Sequence, residues 1–273
     1  MLTVTIPALN EEENIGKTLA AVIAAADHVR LKEFEIIVVN DGSTDRTGEI
    51  VRSFAQKYGF IRVIENPRPR GIGQGFLDCV DIAKYDRITT FAGDNNTHWS
   101  LIVTLFKNYD KADILTSYFI NTEVRSRSRN LLSTIFTTIF VTIFDLHVKY
   151  INGNFVFPVS ELKKMTIHSR GYNIFAEIKT KLLRSDLTFL EVPGWSNPHA
   201  QRSQALRLKH LINVSISFLR TAHEILISKR QQYSKRARRV GMPPLDPVHF
   251  DPEILNEAEA TATLGLFLRQ GRG

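Results

Sequence analysis

The sequence is poor in the residues that staple or anchor a chain. One cysteine, Cys79, stands among 273 residues. That excludes a disulfide framework and a cysteine-rich zinc site, and it fits a reducing, cytoplasmic compartment. No apolar run reaches the about 20 residues that a bilayer-spanning helix needs. Acidic residues are outnumbered, 28 against 35 Lys and Arg, for a net charge of +7. The excess points to anionic partners: a nucleotide, phospholipid head groups or nucleic acid. With no helix-turn-helix, zinc or stacking motif, nucleic acid is not expected. Internal repeats are absent as well. The first residues, Met1 to Pro7, lack a basic leader segment and read as a strand. Composition itself is ordinary, with 43% hydrophobic and 23% charged residues, which excludes wholesale disorder and a coiled coil.

What is present in the first half is alternation. Strand-like runs at Leu2–Ile6, Phe34–Val39, Ile61–Ile64 and Arg87–Phe91 are separated by helix-periodic segments. Those segments start near Glu11, capped by Asn10, near Thr44, and near Gln74. Repetition at this pitch predicts βαβ units: an α/β fold with a mostly parallel, doubly wound sheet and helices on both faces. Ligands of such sheets bind beyond the carboxyl ends of the strands. The polar clusters Asn10-Glu11, Asn40-Asp41 and Asp94-Asn95 all fall at such ends. Arg70-Gly71-Ile72-Gly73-Gln74-Gly75 lacks the spacing of a dinucleotide fingerprint and the Lys-Ser/Thr of a P-loop, so Gly71 and Gly73 serve a tight backbone path.

The second half is different. Residues 131–144, Leu-Leu-Ser-Thr-Ile-Phe-Thr-Thr-Ile-Phe-Val-Thr-Ile-Phe, carry no charge and follow Arg125, Arg127 and Arg129. Two readings stand side by side: a buried helix, or a helix lying in a membrane interface beside basic residues. A strand from Leu187 to Pro193 and an amphipathic helix from Gln204 to Ser228 follow, then a basic run of Lys229, Arg230, Lys235, Arg236, Arg238 and Arg239. We divide the chain into a catalytic domain over 1–215, a basic helical extension over 216–244 and a loosely attached tail over 245–273.

Three segments resemble glycosyltransferase family 2: Thr5 to Ile15, Glu35 to Thr47, and Gly93-Asp94-Asn95. Within that family the chain looks most like the dolichol-phosphate mannose synthase group. The resemblance runs on through Arg127–Asn130, Asn152–Phe155 and Glu191–Arg202. It implies a GT-A type nucleotide-binding fold and an inverting transfer of a sugar from a nucleoside-diphosphate sugar. It places Pro7, Ala8, Asn10, Glu11, Asp41, Gly71, Gly93 and Asp94 around the nucleotide. The family's Asp-X-Asp motif aligns with Ala92-Gly93-Asp94, so its first aspartate is missing. A Mg²⁺ or Mn²⁺ ion is expected on hard oxygens, with Asp94 as ligand and Asn96 beside it.

The acceptor is read from what is missing. Hydroxyl-directed members place a Glu-Asp pair in the second half; here Glu177 is followed by Ile178. A phosphate monoester is ionised already and needs no base. This favours a polyprenyl phosphate acceptor, with Arg127 and Arg202 gripping phosphate oxygens. Two alternatives stay open: a transferase acting on a saccharide hydroxyl with Glu177 as base, and a non-catalytic nucleotide-sugar-binding relative. Segment 131–144 supplies an apolar wall for the prenyl chain and the basic run a lipid contact, placing the protein peripherally at the cytoplasmic face of a membrane.

Overall fold

Strand β2, Phe34–Asp41, shows how this sheet is covered. Ile36 and Val38 pack into one apolar cluster and Ile37 and Val39 into another, all four buried, as side chains alternate across a strand with helices on both faces. The structure is a computed structural model that describes residues 1–171, 173–197 and 208–241, with the backbone alone considered over 208–213.

The other strands are β1 Leu2–Ala8, β3 Ile61–Asn66, β4 Arg87–Thr90, β5 Ile114–Phe119, β6 Phe155–Pro158, β7 Thr188–Gly194 and β8 Arg238–Arg239. They form one sheet in the order β3-β2-β1-β4-β6-β5-β7-β8. All pairings are parallel except those of β6, which runs antiparallel between β4 and β5. The start of β6 therefore lies on the same rim as the ends of β4 and β5. The strand order reverses between β1 and β4, where doubly wound sheets open a crevice at the carboxyl rim.

Helices α1 Ile15–His28, α2 Thr47–Lys57 and α4 Trp99–Asn108 cover one face. Helices α3 Ile72–Ile82, α5 Arg127–Ile143, α6 Val159–Lys164 and α7 Ile174–Leu183 cover the other, joined by Ile225 and Tyr233 from the C-terminal segment. Helix α8, Leu208–His223, continues into a π-helical turn, Glu224–Ser228.

Two helix starts differ from expectation. α1 begins at Ile15, not Glu11, and α2 at Thr47, not Thr44. The intervening residues are tied to one another instead. Asn10 adopts φ 55° and its Oδ1 accepts from Thr44 N (2.8 Å), while its own N–H donates to Ser43 Oγ (3.0 Å). Asn tolerates that left-handed backbone, so it holds a turn and caps no helix. Glu11 N–H donates to Thr47 Oγ1 and Glu12 N–H to Asp45 Oδ2, closing the two rim loops on each other.

The proposed extension is integral. The 215/216 boundary falls inside α8, and β8 adds an edge to the common sheet beside β7. Among the six basic residues of the run, Lys229, Lys235, Arg236 and Arg239 pair with Glu224, Asp186, Asp145 and Glu191. The run clamps segment 235–239 to the body of the protein. The tail at 245–273 lies outside the described residues.

Candidate active site

The crevice is built from the two strand ends that flank the reversal. β1 ends at Pro7-Ala8 and leads to Glu11; β4 leads to Gly93-Asp94. Gly93 is needed here for close approach: its N–H donates to Pro7 O (3.0 Å), and a Cβ would sit 3.1 Å from both Ala8 Cβ and Pro7 O. Thr18 Oγ1 on α1 donates to Gly93 O (3.1 Å), fixing the loop from beneath.

Asp94 is thereby carried next to Glu11. Burial pushes the Asp94 carboxyl above its ordinary value, against its bonds to Asn96 and the positive charge of Arg129. Burial also raises Glu11, with Asp94 and Asp45 adding repulsion beyond the opposing bond from Asn14. Two partly desolvated carboxylates acting on each other at a rim suit a hard divalent cation, which relieves both strains. Asn96 donates its backbone N–H and its side-chain amide to the two Asp94 oxygens (3.2 and 3.0 Å), and its own Oδ1 accepts from Thr97 Oγ1 (3.3 Å). The donor set fits Mg²⁺ or Mn²⁺ through oxygen, with Glu11 a second carboxylate in reach of the ion's field where Ala92 replaces an aspartate.

Asp41, at the end of β2, is buried and already engaged. Oδ1 accepts from Asn66 Nδ2 (2.8 Å) and Arg70 N (2.9 Å), and Oδ2 from Gly71 N (2.8 Å). It shapes the Arg70–Gly71 loop beside the crevice and retains limited capacity to accept from a base or ribose.

The arginines separate in space. Arg127 opens α5 with an exposed side chain. Arg129 is half-buried; burial lowers its pKa, as does Arg125 beside it, while Asp94 and Tyr150 act to raise it. Arg125 lies over the rings of Phe119 (5.4 Å) and Tyr150 (6.0 Å) and donates to Tyr150 Oη (3.3 Å). Ser133 Oγ donates to the same phenol oxygen (2.9 Å). Arg125 and Arg129 thus stand together, with Arg129 the one whose charge reaches Asp94. Placing the N-cap of α5 at Ser126, whose Oγ accepts from Arg129 N (3.4 Å), is the sequence signal that would have set Arg129 in the first turn beside Arg125.

Glu177 is elsewhere in character. It is 2% exposed, and its oxygens accept from His168 N, Ser169 N, Ser169 Oγ and Lys181 Nζ at 2.6–3.0 Å. Lys181 also reaches Glu224 Oε2 (2.6 Å). Burial alone would raise the Glu177 carboxyl, but Lys181 and these donors together hold it below its ordinary range. His168, Glu177 and Glu224 have the spacing of a metal cluster, yet the Lys181 ammonium stands among them. A carboxylate so committed has no oxygen to offer a substrate hydroxyl. Arg202 lies outside the described residues; Asn197 donates its side-chain amide to Asn95 O (2.8 Å).

Helix α5 buries one apolar stripe, with Phe140 in the core and Phe136 packed against it, and leaves another exposed. Among its described neighbours Thr137 and Phe140 are covered, whereas Leu131, Leu132, Ile135, Ile139 and Ile143 are 41–62% exposed. Phe218 of α8 packs on Phe140 and Phe144, and Leu219 next to it is 65% exposed. Among the described residues no helix is long and apolar enough to cross a membrane.

Known proteins resemble this chain in sequence and in fold. The family model for glycosyl transferase family 2 matches residues 3–165. The chain is 39% identical over 141 residues to a dolichyl-phosphate beta-glucosyltransferase of Trichomonas vaginalis, covering 48% of this chain and 43% of the relative. It is 35% identical over 104 residues to the undecaprenyl-phosphate 4-deoxy-4-formamido-L-arabinose transferase of Edwardsiella ictaluri, covering 38% and 28%. A probable glycosyltransferase of Bacillus subtilis, YdaM, is 45% identical over 74 residues, 27% of this chain and 17% of that one. The matches span less than half the length of each of these relatives. Among solved structures, glucosyl-3-phosphoglycerate synthase from Mycobacterium tuberculosis, in complex with Mn²⁺, UDP and phosphoglyceric acid, superposes with TM-score 0.57 at 18% identity over 81% of this chain and 78% of that one. Its complex with Mg²⁺ and UDP gives TM-score 0.58 at 15% identity over 81% and 79%. The shared fold is the GT-A type.

Proposed function

We propose that this chain, which belongs to glycosyltransferase family 2, transfers a sugar with inversion from a nucleoside-diphosphate sugar to a polyprenyl phosphate. One observation carries the reading: Arg129, whose charge reaches Asp94, stands beside Arg125 at the start of a helix with one exposed apolar stripe. An anionic head group and a hydrocarbon tail are thereby offered adjoining surfaces. The dolichyl- and undecaprenyl-phosphate relatives support the same acceptor class.

The chemistry follows from these positions. Arg125 and Arg129 orient the acceptor phosphate, and one of its oxygens attacks the anomeric carbon from the face opposite the diphosphate. The new carbon–oxygen bond forms as the bond to the diphosphate breaks, which inverts the centre. The attacking phosphate oxygen is already an anion, so no base is required, in keeping with the locked Glu177. A Mg²⁺ or Mn²⁺ ion held by Asp94, with Asn96 and Glu11 beside it, would neutralise the charge growing on the departing diphosphate. Asp41 and the Arg70–Gly71 loop wall the nucleoside side. The exposed faces of α5 and α8 rest on the cytoplasmic leaflet, and the basic run serves mainly to clamp segment 235–239.

Calorimetric titration with UDP, GDP, CDP and dTDP, with and without Mn²⁺, tests the donor half. Metal-dependent binding of one diphosphate, lost in Asp94→Ala, is expected. Transfer of radiolabelled sugar to undecaprenyl or dolichyl phosphate tests the acceptor half. Nucleotide binding without any turnover would overturn the enzymatic reading in favour of a binding protein.

A further inference from the structure

Lys179 is a buried amine that the reaction as described does not use. It lies on α7 with no exposed surface. Its amine donates to Thr116 Oγ1 on β5 (2.7 Å) and to Gly153 O (2.9 Å), and it makes no ion pair among the described residues. Glu191 on β7, opposite Thr116 in register, is the charged group that acts on it. A shape-matched apolar side chain would avoid the desolvation that such an amine suffers. The contact to Gly153 is what the lysine supplies in return.

Gly153 lies in a turn with two functional ends. On one side, Tyr150 meets Arg125 and Ser133. On the other, Asn154 Nδ2 lies 3.5 Å from Thr90 O at the end of β4, the strand that delivers Asp94. The turn is pressed against β5: Ser117 N–H donates to Asn154 O (2.8 Å), and a Cβ on Gly153 would fall 1.7 Å from Ser117 O. Because β6 is antiparallel, this turn sits on the active rim between the ends of β4 and β5.

We propose that Lys179 is a positioning residue for the transfer reaction: from inside the core its amine holds the Gly153 carbonyl, and with it the turn 150–154 that joins the arginine pair to the end of β4. The proposal rests on the transferase reading for its kinetic consequence, and on the turn's geometry alone for its structural one.

The two consequences are measured separately. Gly153-Asn154 is the sole Gly-Asn step in the sequence, so labelling Gly at the carbonyl carbon and Asn at nitrogen gives one NMR correlation. Burial lowers the Lys179 amine to about 7. In the unmodified protein the Gly153 carbonyl resonance is expected to titrate with a midpoint near that value; a resonance unmoved from pH 5.5 to 10.5 overturns the contact. This needs no variant to fold. In Lys179→Met the titration disappears, kcat falls at least tenfold, and affinity for the nucleoside diphosphate stays within twofold. Unchanged kcat and acceptor KM in a folded Lys179→Met protein overturn the positioning role. Should the unmodified protein transfer no sugar, the transferase reading fails by itself. The positioning role is then read from affinity for a short-chain polyprenyl phosphate, which Lys179→Met must weaken.

Discussion

Asp94 is a partly buried carboxylate and Glu177 a fully buried one, and their surroundings push them in opposite directions. Asp94 is raised by burial at a rim where Glu11 adds negative charge; Glu177 is held down by Lys181 and its hydrogen-bond donors. The first is the carboxylate proposed to take a cation, and the second is already paired with Lys181. Glu177→Gln is expected to destabilise the protein by about 3–5 kcal/mol, because Lys181 loses one of its two carboxylates inside the core. Denaturant unfolding checks this. Glu177 and Glu224 both sit below their ordinary values, so the unfolded chain binds more protons in acid. The stability they confer is complete above about pH 4.5 and drains away as pH falls through their lowered folded values. An acid titration followed by circular dichroism should show that loss, reduced in Glu177→Gln. At the arginines, Arg129→Ala should cut transfer at least about tenfold, the scale of one charge-assisted phosphate contact, with Arg127→Ala changing it less than about threefold. Steady-state rates at fixed acceptor decide. Strand ends and polar punctuation made Asp94 legible in the sequence. Glu177 was legible only as a carboxylate at a suggestive place. Its partner Glu224 is 47 residues away, and nothing local announces that α8 returns to it. Arg129 was hidden for a similar reason, since three alternate arginines look equivalent until the helix start fixes which side each faces.

At the scale of elements, α5 answers a question that periodicity left open. Its apolar residues were compatible with a core or with an interface, because both environments ask for the same side chains. The helix has two apolar stripes: Phe140 is buried in the core with Phe136 packed beside it, while Ile135 and Ile139 are 47% and 45% exposed. Replacing these two isoleucines by glutamate should weaken binding to anionic vesicles by at least about tenfold through lost apolar burial and added repulsion. Stability should move by less than about 0.5 kcal/mol per site. Vesicle co-sedimentation at low salt and thermal unfolding measure the two. Strands β1 to β4 and β7 were legible from their short β-rich runs, whereas β5, β6 and β8 were not read as strands. The starts of α1 and α2 were misplaced because Asn10, Thr44 and Asp45, good capping residues in isolation, are spent on joining the two rim loops.

For the whole molecule, the division into a catalytic domain and an appended basic segment gives way to a single body. β8 joins the sheet, Ile225 and Tyr233 enter the apolar layer, and three basic residues, Lys235, Arg236 and Arg239, pair with carboxylates of the preceding fold. One cooperative unfolding transition is expected, and a chain cut at residue 215 should not yield a stable fragment; calorimetry and limited proteolysis test this. Sequence could not reveal the union, because a basic run looks the same whether it faces lipid or neighbouring acids.

The Glu177–Lys181–Glu224 network also imposes an order on synthesis. Glu177 and Lys181 leave the ribosome together and can pair along their own helix, but Glu224 is made 43 residues after Lys181. At about 5–20 residues per second that is a wait of roughly 2–9 s. During it β7 has no β8 beside it and the layer beneath α7 lacks Ile225 and Tyr233. The nascent chain thus carries an open sheet edge and an unfilled core until residues 224–239 emerge, the interval in which it is most exposed to aggregation.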